Sequence, residues 1–338
     1  MDSILEIVVS NAVSATLLAV AVFAVGRFIK RPALNHCLWL LVMLKLVTPP
    51  LIAVRVPTTT LQSFLDGKWG LAAHQPPSNT LGILLALWVL GTVVFTVGVS
   101  CRVIRFQKLL RIGSSSDRGL QIEVDRLSRQ IGISNPPVVW LVPGPVSPML
   151  WSFIGHTRII FPAELLQHLD GESRSSLLLH ELAHLKRRDH WVRHFELLVT
   201  GLFWWHPVVW WSRRELHIAE EQCCDARVVA QMPSRQKTYV DALLATIDFM
   251  SRTRWKMVPV ASGIGSANSI RRRLALIMRG SVPSGLTKRC RLAVLATAVV
   301  VLPFWPSWTH TDDRPLPRDA VLIAQDDFEL NSGRMRLV

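Results

Sequence analysis

Two histidines four residues apart, with a glutamate directly after the first, make the run His180-Glu181-Leu182-Ala183-His184. On a helix, residues at i and i+4 project from one face, so both imidazoles can reach one ion. Zinc held there lowers the pKa of its bound water to about 7, and Glu181 stands where it can take that water's proton for attack on a peptide carbonyl. Chance alone yields such a pattern in a chain of this length with a probability on the order of one in a hundred. The chemistry is metal-assisted peptide hydrolysis, with His180 and His184 as zinc ligands and Glu181 as the catalytic base.

A third ligand is needed. His190 has the spacing that some zinc peptidases use, but that arrangement needs a glycine three residues after the second histidine to turn the chain back. Arg187 holds that position in a run with no helix breaker, and an uninterrupted helix carries His190 away from the metal. Downstream, residues 213–225 read as a helix on which His217, Glu221 and Asp225 share one face. Glu221 is the expected third ligand, completing a His-His-Glu site, with Asp225 one turn on as acceptor for a ligand imidazole. Glu220 points about 100° away and is the fallback. His217 is either a transition-state hydrogen-bond donor or a packed helix residue. Cys223 and Cys224 are soft enough for zinc, but thiolates suit closed structural sites.

The elements that position these residues are set by an apolar chain. Of the 338 residues, 50% are hydrophobic and only 18% charged, yet the formal net charge is +14. Apolar runs at about 4–25, 37–54, 81–100 and 289–308 have lengths near that of a bilayer crossing. The first lacks a basic start and a small-residue cleavage site, so it reads as a span and not as a cleaved signal. Arg27, Lys30 and Arg31 follow the first run, and residues 102–291 hold most of the lysines and arginines. The positive-inside rule then places the N-terminus outside and the segment 106–288 in the cytoplasm. The thirteen tryptophans fit interfacial anchoring. The basic charge is therefore topological, and direct nucleic-acid binding is not expected. No cysteine falls in an external segment, so no disulfide framework is expected. Cys37, Cys101 and Cys290 read as buried apolar fillers. Lys45, within the second run, snorkels or pairs with an acid.

Within 106–288, residues 113–117 read as a flexible lead-in and 120–131 as a helix. Residues 138–142 read as a strand, and 147–153 with 157–161 as a hairpin. An edge of this small sheet could hold an extended substrate, or the sheet could simply pack the motif helix. The tryptophan-rich stretch 195–211 cannot cross the bilayer, because His180 and Glu221 must reach one ion. It reads as a re-entrant or interfacial helical hairpin broken near His206-Pro207. The expected fold is a mainly α membrane protein with four transmembrane helices. A cytoplasmic α+β, zincin-like (gluzincin-type) domain lies between the third and fourth, and a short external tail over 309–338 reads as disordered.

The run Leu178 to Asp189, the aromatic Trp205 to Trp210, Arg213-Arg-Glu-Leu and Glu221-Gln-Cys-Cys-Asp225 together resemble the BlaR/MecR-type membrane metallopeptidases. These are the antirepressors of β-lactam resistance and their relatives. The resemblance covers roughly residues 1–308. It implies His180, His184 and Glu221 on one zinc ion, Glu181 as base, and Asp189 and Asp225 as supporting acids. It also implies a bacterial inner membrane, and the best-known members carry an external penicillin-binding sensor after the last span. Here about thirty residues follow Trp308, without a Ser-x-x-Lys nucleophile, so β-lactam sensing by this chain is not expected. The implied partners are a protein or peptide substrate, a transcriptional repressor among the candidates, and the lipid bilayer; a homodimer stays open. Rival readings are an HtpX- or CAAX-type processing or quality-control protease, a non-catalytic signalling scaffold and a transporter. The intact Glu181 speaks against the scaffold, and four spans without a repeat speak against the transporter.

Overall fold

The computed structural model describes residues 2–29, 31–48, 52–57, 80–116, 118–153, 156–252, 267–280 and 285–309. The chain divides into two units, Met1–Ile52 with Pro76–Trp305, and Ala53–Gln75 with Pro306–Val338. The second contains most of a strand pair, β1 (Ile52–Pro57) with the last strand, Phe304–Thr309. The first contains the helices and the larger sheet.

It begins with three apolar helices: α1 (Asp2–Phe28), α2 (Pro32–Val47) and α3 (Thr80–Leu110). Stretches of two of them, Ser10–Phe28 and Gly82–Leu110, are long and apolar enough to cross a membrane. The second apolar run differs from its expected bounds of 37–54. Its helix starts at Pro32, which has no N–H to lose at a helix start, and ends at Val47, ahead of Pro49-Pro50, which cannot continue a helix. Residues 52–57 are strand. Lys45 is 1% exposed and donates to the Leu302 carbonyl at 3.2 Å. Cys101 is exposed and Cys37 and Cys290 half-buried, so they are not the buried fillers expected.

A four-stranded sheet comes next along the chain, in the order β2 (Ser114–Ser115), β3 (Val138–Val142), β5 (His156–Pro162), β4 (Met149–Phe153). The expected hairpin is β4–β5, antiparallel with Trp151 opposite Arg158. β3 runs parallel to β5, with Trp140 opposite Ile160. Two residues of the flexible lead-in are instead β2, paired antiparallel with β3. Helix α4 (Arg118–Gln130) backs the sheet: Leu120, Val124 and Leu127 join Val139, Ile159 and Phe161 in one core.

The short α5 (Ala163–His168) leads to α6 (Gly171–Arg187), α7 (Asp189–Leu202) and α8 (Pro207–Gln231). Helix α6 starts because Asp170 accepts the Ser173 N–H at 2.8 Å and caps the first turn. Its Leu178, Leu179 and Leu182 are fully buried in the sheet core, each contributing about 1.5–3 kcal/mol of transfer free energy. Helix α6 is not continuous with α7, contrary to the sequence expectation. Arg188 adopts a left-handed conformation (φ 63°, ψ 33°), and its N–H closes on the carbonyls of His184 and Leu185. That is an uncommon conformation for a residue with a Cβ, and it turns the chain into α7.

Helices α7 and α8 break over 203–206, where His206 caps its own Val208 N–H and Pro207 opens the next helix. Helix α3 packs closely on this break. Trp88 Nε1 donates to the Leu202 carbonyl at 2.7 Å and Thr92 Oγ1 to the Gly201 carbonyl at 3.1 Å. A Cβ on Gly91 would lie 2.2 Å from the Trp204 ring, so only glycine allows the approach. Helix α9 (Gln236–Arg252), α10 (Ala267–Arg279) and α11 (Lys288–Val301) complete the unit. The fourth apolar run is thus helical over 288–301 and becomes the strand β6 (Phe304–Thr309), not a helix over 289–308.

Candidate metal centre

Helix α6 presents His180 and His184 on one side, and α8 crosses beside it presenting Glu221. The three donor atoms lie within 4.8 Å of one another. His180 Nε2 is 3.4 Å from Glu221 Oε2, and His184 Nε2 is 3.5 Å from Glu221 Oε1. Both imidazoles are buried, as is Glu181, at 7% exposure.

The other ring nitrogens fix the tautomers. His184 Nδ1 lies 2.9 Å from Asp189 Oδ2; an ionised carboxylate only accepts, so Nδ1 carries the proton. Tyr239 donates its single proton to Asp225 Oδ1 at 2.6 Å and accepts from His180 Nδ1 at 2.8 Å. Each histidine thus donates through Nδ1 and turns Nε2 toward Glu221, which leaves Nε2 as the nitrogen that can ligate a metal once its proton is gone. Two oriented imidazoles and a carboxylate fit a divalent cation.

Arg273, from α10, closes the group from behind. Its Nε and Nη2 donate to Asp225 at 2.8 and 2.9 Å, and its Nη1 lies 2.8 Å from Glu221 Oε2. Burial raises the pKa of Glu221, but Arg273 and the two histidines more than reverse this and hold it well below the usual carboxylate range. Burial likewise opposes ionisation of Asp225, yet Arg273 and His180 bring it down to about 2. Burial lowers the pKa of His180, and Asp225 and Glu221 override it to raise the net value. For His184, burial is likewise outweighed by Cys224 and Asp189.

The residues expected to act here do not all meet. His180, His184, Glu221, Asp225 and Asp189 do. His217 is instead 3.7 Å from Glu220, its side chain a third exposed, and it is in none of the metal-competent groups among the described residues. Glu220, the fallback ligand, is 1% exposed and faces His36 of α2 and Arg193 of α7, each 3.6 Å away. His190 lies at the start of α7 and is in none of the metal-competent groups among the described residues, although the helix break at Arg188 removes the reason expected for its absence. Cys223 and Cys224 are buried, and burial pushes their thiols up to about 12 and about 11, which disfavours thiolate ligation.

Tyr239 and Arg273 carry no motif. Tyr239 is nevertheless the chain's single tyrosine, and Arg273 ends the run Arg271-Arg272-Arg273, which reads as a solvated basic face.

The chain is similar to the regulatory protein BlaR1 of Bacillus licheniformis, with 24% identity over 242 residues. The match covers 69% of this chain and 38% of that protein, so the chain spans well under half the length of its relative. The pattern of the BlaR1 peptidase M56 family runs along residues 6–277, through the apolar helices, the sheet and every residue of the metal-competent group. The chain therefore belongs to the BlaR1 peptidase M56 family.

Proposed function

We propose that the chain is a membrane-embedded, zinc-dependent endopeptidase that cuts a cytoplasmic or membrane-proximal protein in a signalling pathway, a transcriptional repressor being the favoured substrate class. The observation that carries this reading is the convergence of His180, His184 and Glu221, with each imidazole oriented by its own partner. The regulatory name of the relative supports the signalling role.

His180, His184 and Glu221 would hold the ion. Zinc bound there supplies a Lewis acid that brings the pKa of a water molecule to about 7. Asp189 and Tyr239 keep the rings from rotating. Glu181, one residue after His180 and almost wholly shielded from bulk water, takes the proton of the attacking water and passes it to the leaving amine. Strand β4 is the outer strand of its sheet and packs near α6, so its free edge offers a rail for an extended peptide.

Glu181→Gln should keep its zinc and lose proteolysis by about 10²–10⁴-fold in membranes. Unchanged cleavage would remove the catalytic assignment.

We also read α1, α2, α3 and α11 as four spans, with the N-terminus outside and 106–288 in the cytoplasm. Along α3 the side chains of Leu84, Leu87, Leu90 and Val94 are all at least half exposed, as a lipid-facing surface requires. On α11, Leu292, Leu295 and Val299 are exposed likewise. Cysteines engineered at Ser78 and Ser234 should react with an impermeant label from opposite sides; labelling from one side refutes this topology.

A further inference from the structure

Arg273 is the feature that the peptidase reading does not need and the structure makes prominent. Its guanidinium uses two edges. One grips both oxygens of Asp225, which is fully buried, and the other places Nη1 on Glu221 Oε2. Asp225 also accepts from Tyr239, and Tyr239 accepts from His180. Glu221, Arg273, Asp225, Tyr239 and His180 thus form one hydrogen-bonded chain, whose two ends face each other at 3.4 Å. The chain joins α6, α8, α9 and α10, four helices that the two-helix metal motif alone does not tie together.

We propose that Arg273 is a positioning residue for the candidate ligand Glu221, setting where its carboxylate stands relative to His180; this rests on the metal-centre reading above. A glutamate has three side-chain torsions, and fixing them costs rotamer freedom. Arg273 fixes it in advance: with Oε2 held by Nη1, Oε1 is the oxygen turned to His184. Because the same guanidinium is anchored bidentately on Asp225, its own position is set by α8 one turn further along. A planar fork is required for this. A lysine in its place keeps the charge but, as a point donor on a flexible stem, cannot span both carboxylates. Charge and geometry can therefore be separated by one substitution.

The test is zinc release to an excess of chelator from full-length protein in detergent, for wild type, Arg273→Lys, Arg273→Ala, Tyr239→Phe and Glu221→Ala. Arg273→Lys should release zinc faster by about 10–100-fold, the scale on which partners of metal ligands act. Tyr239→Phe, which cuts the same chain at another link, should shift the rate in the same direction. Arg273→Ala should recover slow release in millimolar guanidinium but not in the same concentration of methylammonium, a rescue that a residue needed only for folding would not show. Wild-type release from Arg273→Lys, with Glu221→Ala failing to retain zinc, overturns the positioning role and leaves the metal centre standing. Normal zinc retention in Glu221→Ala overturns the metal-centre reading itself. If Arg273→Lys does not fold, guanidinium rescue of release in Arg273→Ala decides alone, and its failure counts against the proposal.

Discussion

Two consecutive glutamates on α8 sit in opposite kinds of environment. Glu221 faces two imidazoles and a guanidinium, with Arg273 Nη1 at 2.8 Å. Glu220 is more deeply buried, yet its nearest basic side chains, His36, Arg193 and His217, stand at 3.6–3.7 Å, and neither of its oxygens has a hydrogen-bond partner. Burial by itself favours the protonated form of Glu220, and the surrounding cations reverse this and hold it ionised. Countercharge alone thus suffices to keep a carboxylate ionised in the interior. Holding it at a set place takes short, directed bonds from groups that are themselves held. A single step along the helix separates a charge that is merely balanced from one that is aimed.

The sharpest way to break this comparison is to remove each acid in turn. Glu221→Ala should lose its zinc when the protein is purified, whereas Glu220→Gln should keep it; metal analysis reads both, and zinc loss in Glu220→Gln would erase the distinction. A smaller effect is expected from pH. In the metal-free protein the raised values of His180 and His184 mean that the stability they contribute is complete below the ordinary value of 6.5 and is lost as pH rises through the raised ones. Zinc needs those protons gone, so its own stabilisation grows over the same interval. The difference in Tm between zinc-loaded and chelated protein should therefore widen as pH rises from about 6 to about 8, and a narrowing would contradict the assignment. The smallest change is the stability cost of Glu220→Gln. With partners already beyond hydrogen-bond range and Arg193 partly solvated, a loss of about 1 kcal/mol is expected in thermal unfolding.

The sequence makes one side of the candidate metal centre legible and hides the other. The convergence of His180 and His184 is legible because helix geometry alone puts residues four apart on one side, and that of Glu221 because a second helix must supply what the first lacks. Tyr239 and Arg273 are 59 and 93 positions beyond His180. Their roles depend on how α9 and α10 dock, which no local period encodes. The fold shows the same division. The hairpin β4–β5 arises from two β-rich runs around a Gly-His pair, whereas the parallel pairing of β3 with β5 is non-local. The ends of α2 are hidden for another reason: hydrophobicity runs on past Val47 into the strand that starts at Ile52, so composition alone does not mark where the helix stops. Arg188 breaks the expectation of a continuous helix because its left-handed conformation is one that sequence rules assign to glycine.

The contact between α3 and the end of α7 has a further consequence. The last carbonyls of any helix lack partners within it, and at a protein surface water satisfies them. At Gly201 and Leu202 the donors come from Thr92 and Trp88 instead. A turn solvated by a neighbouring helix carries its own substitute for water, so depth in the bilayer costs it little. On the proposed reading, the broken helix pair that delivers Glu221 tolerates the level of the lipid tails, and a substrate segment that leaves the membrane only partly stays within reach of the candidate metal centre.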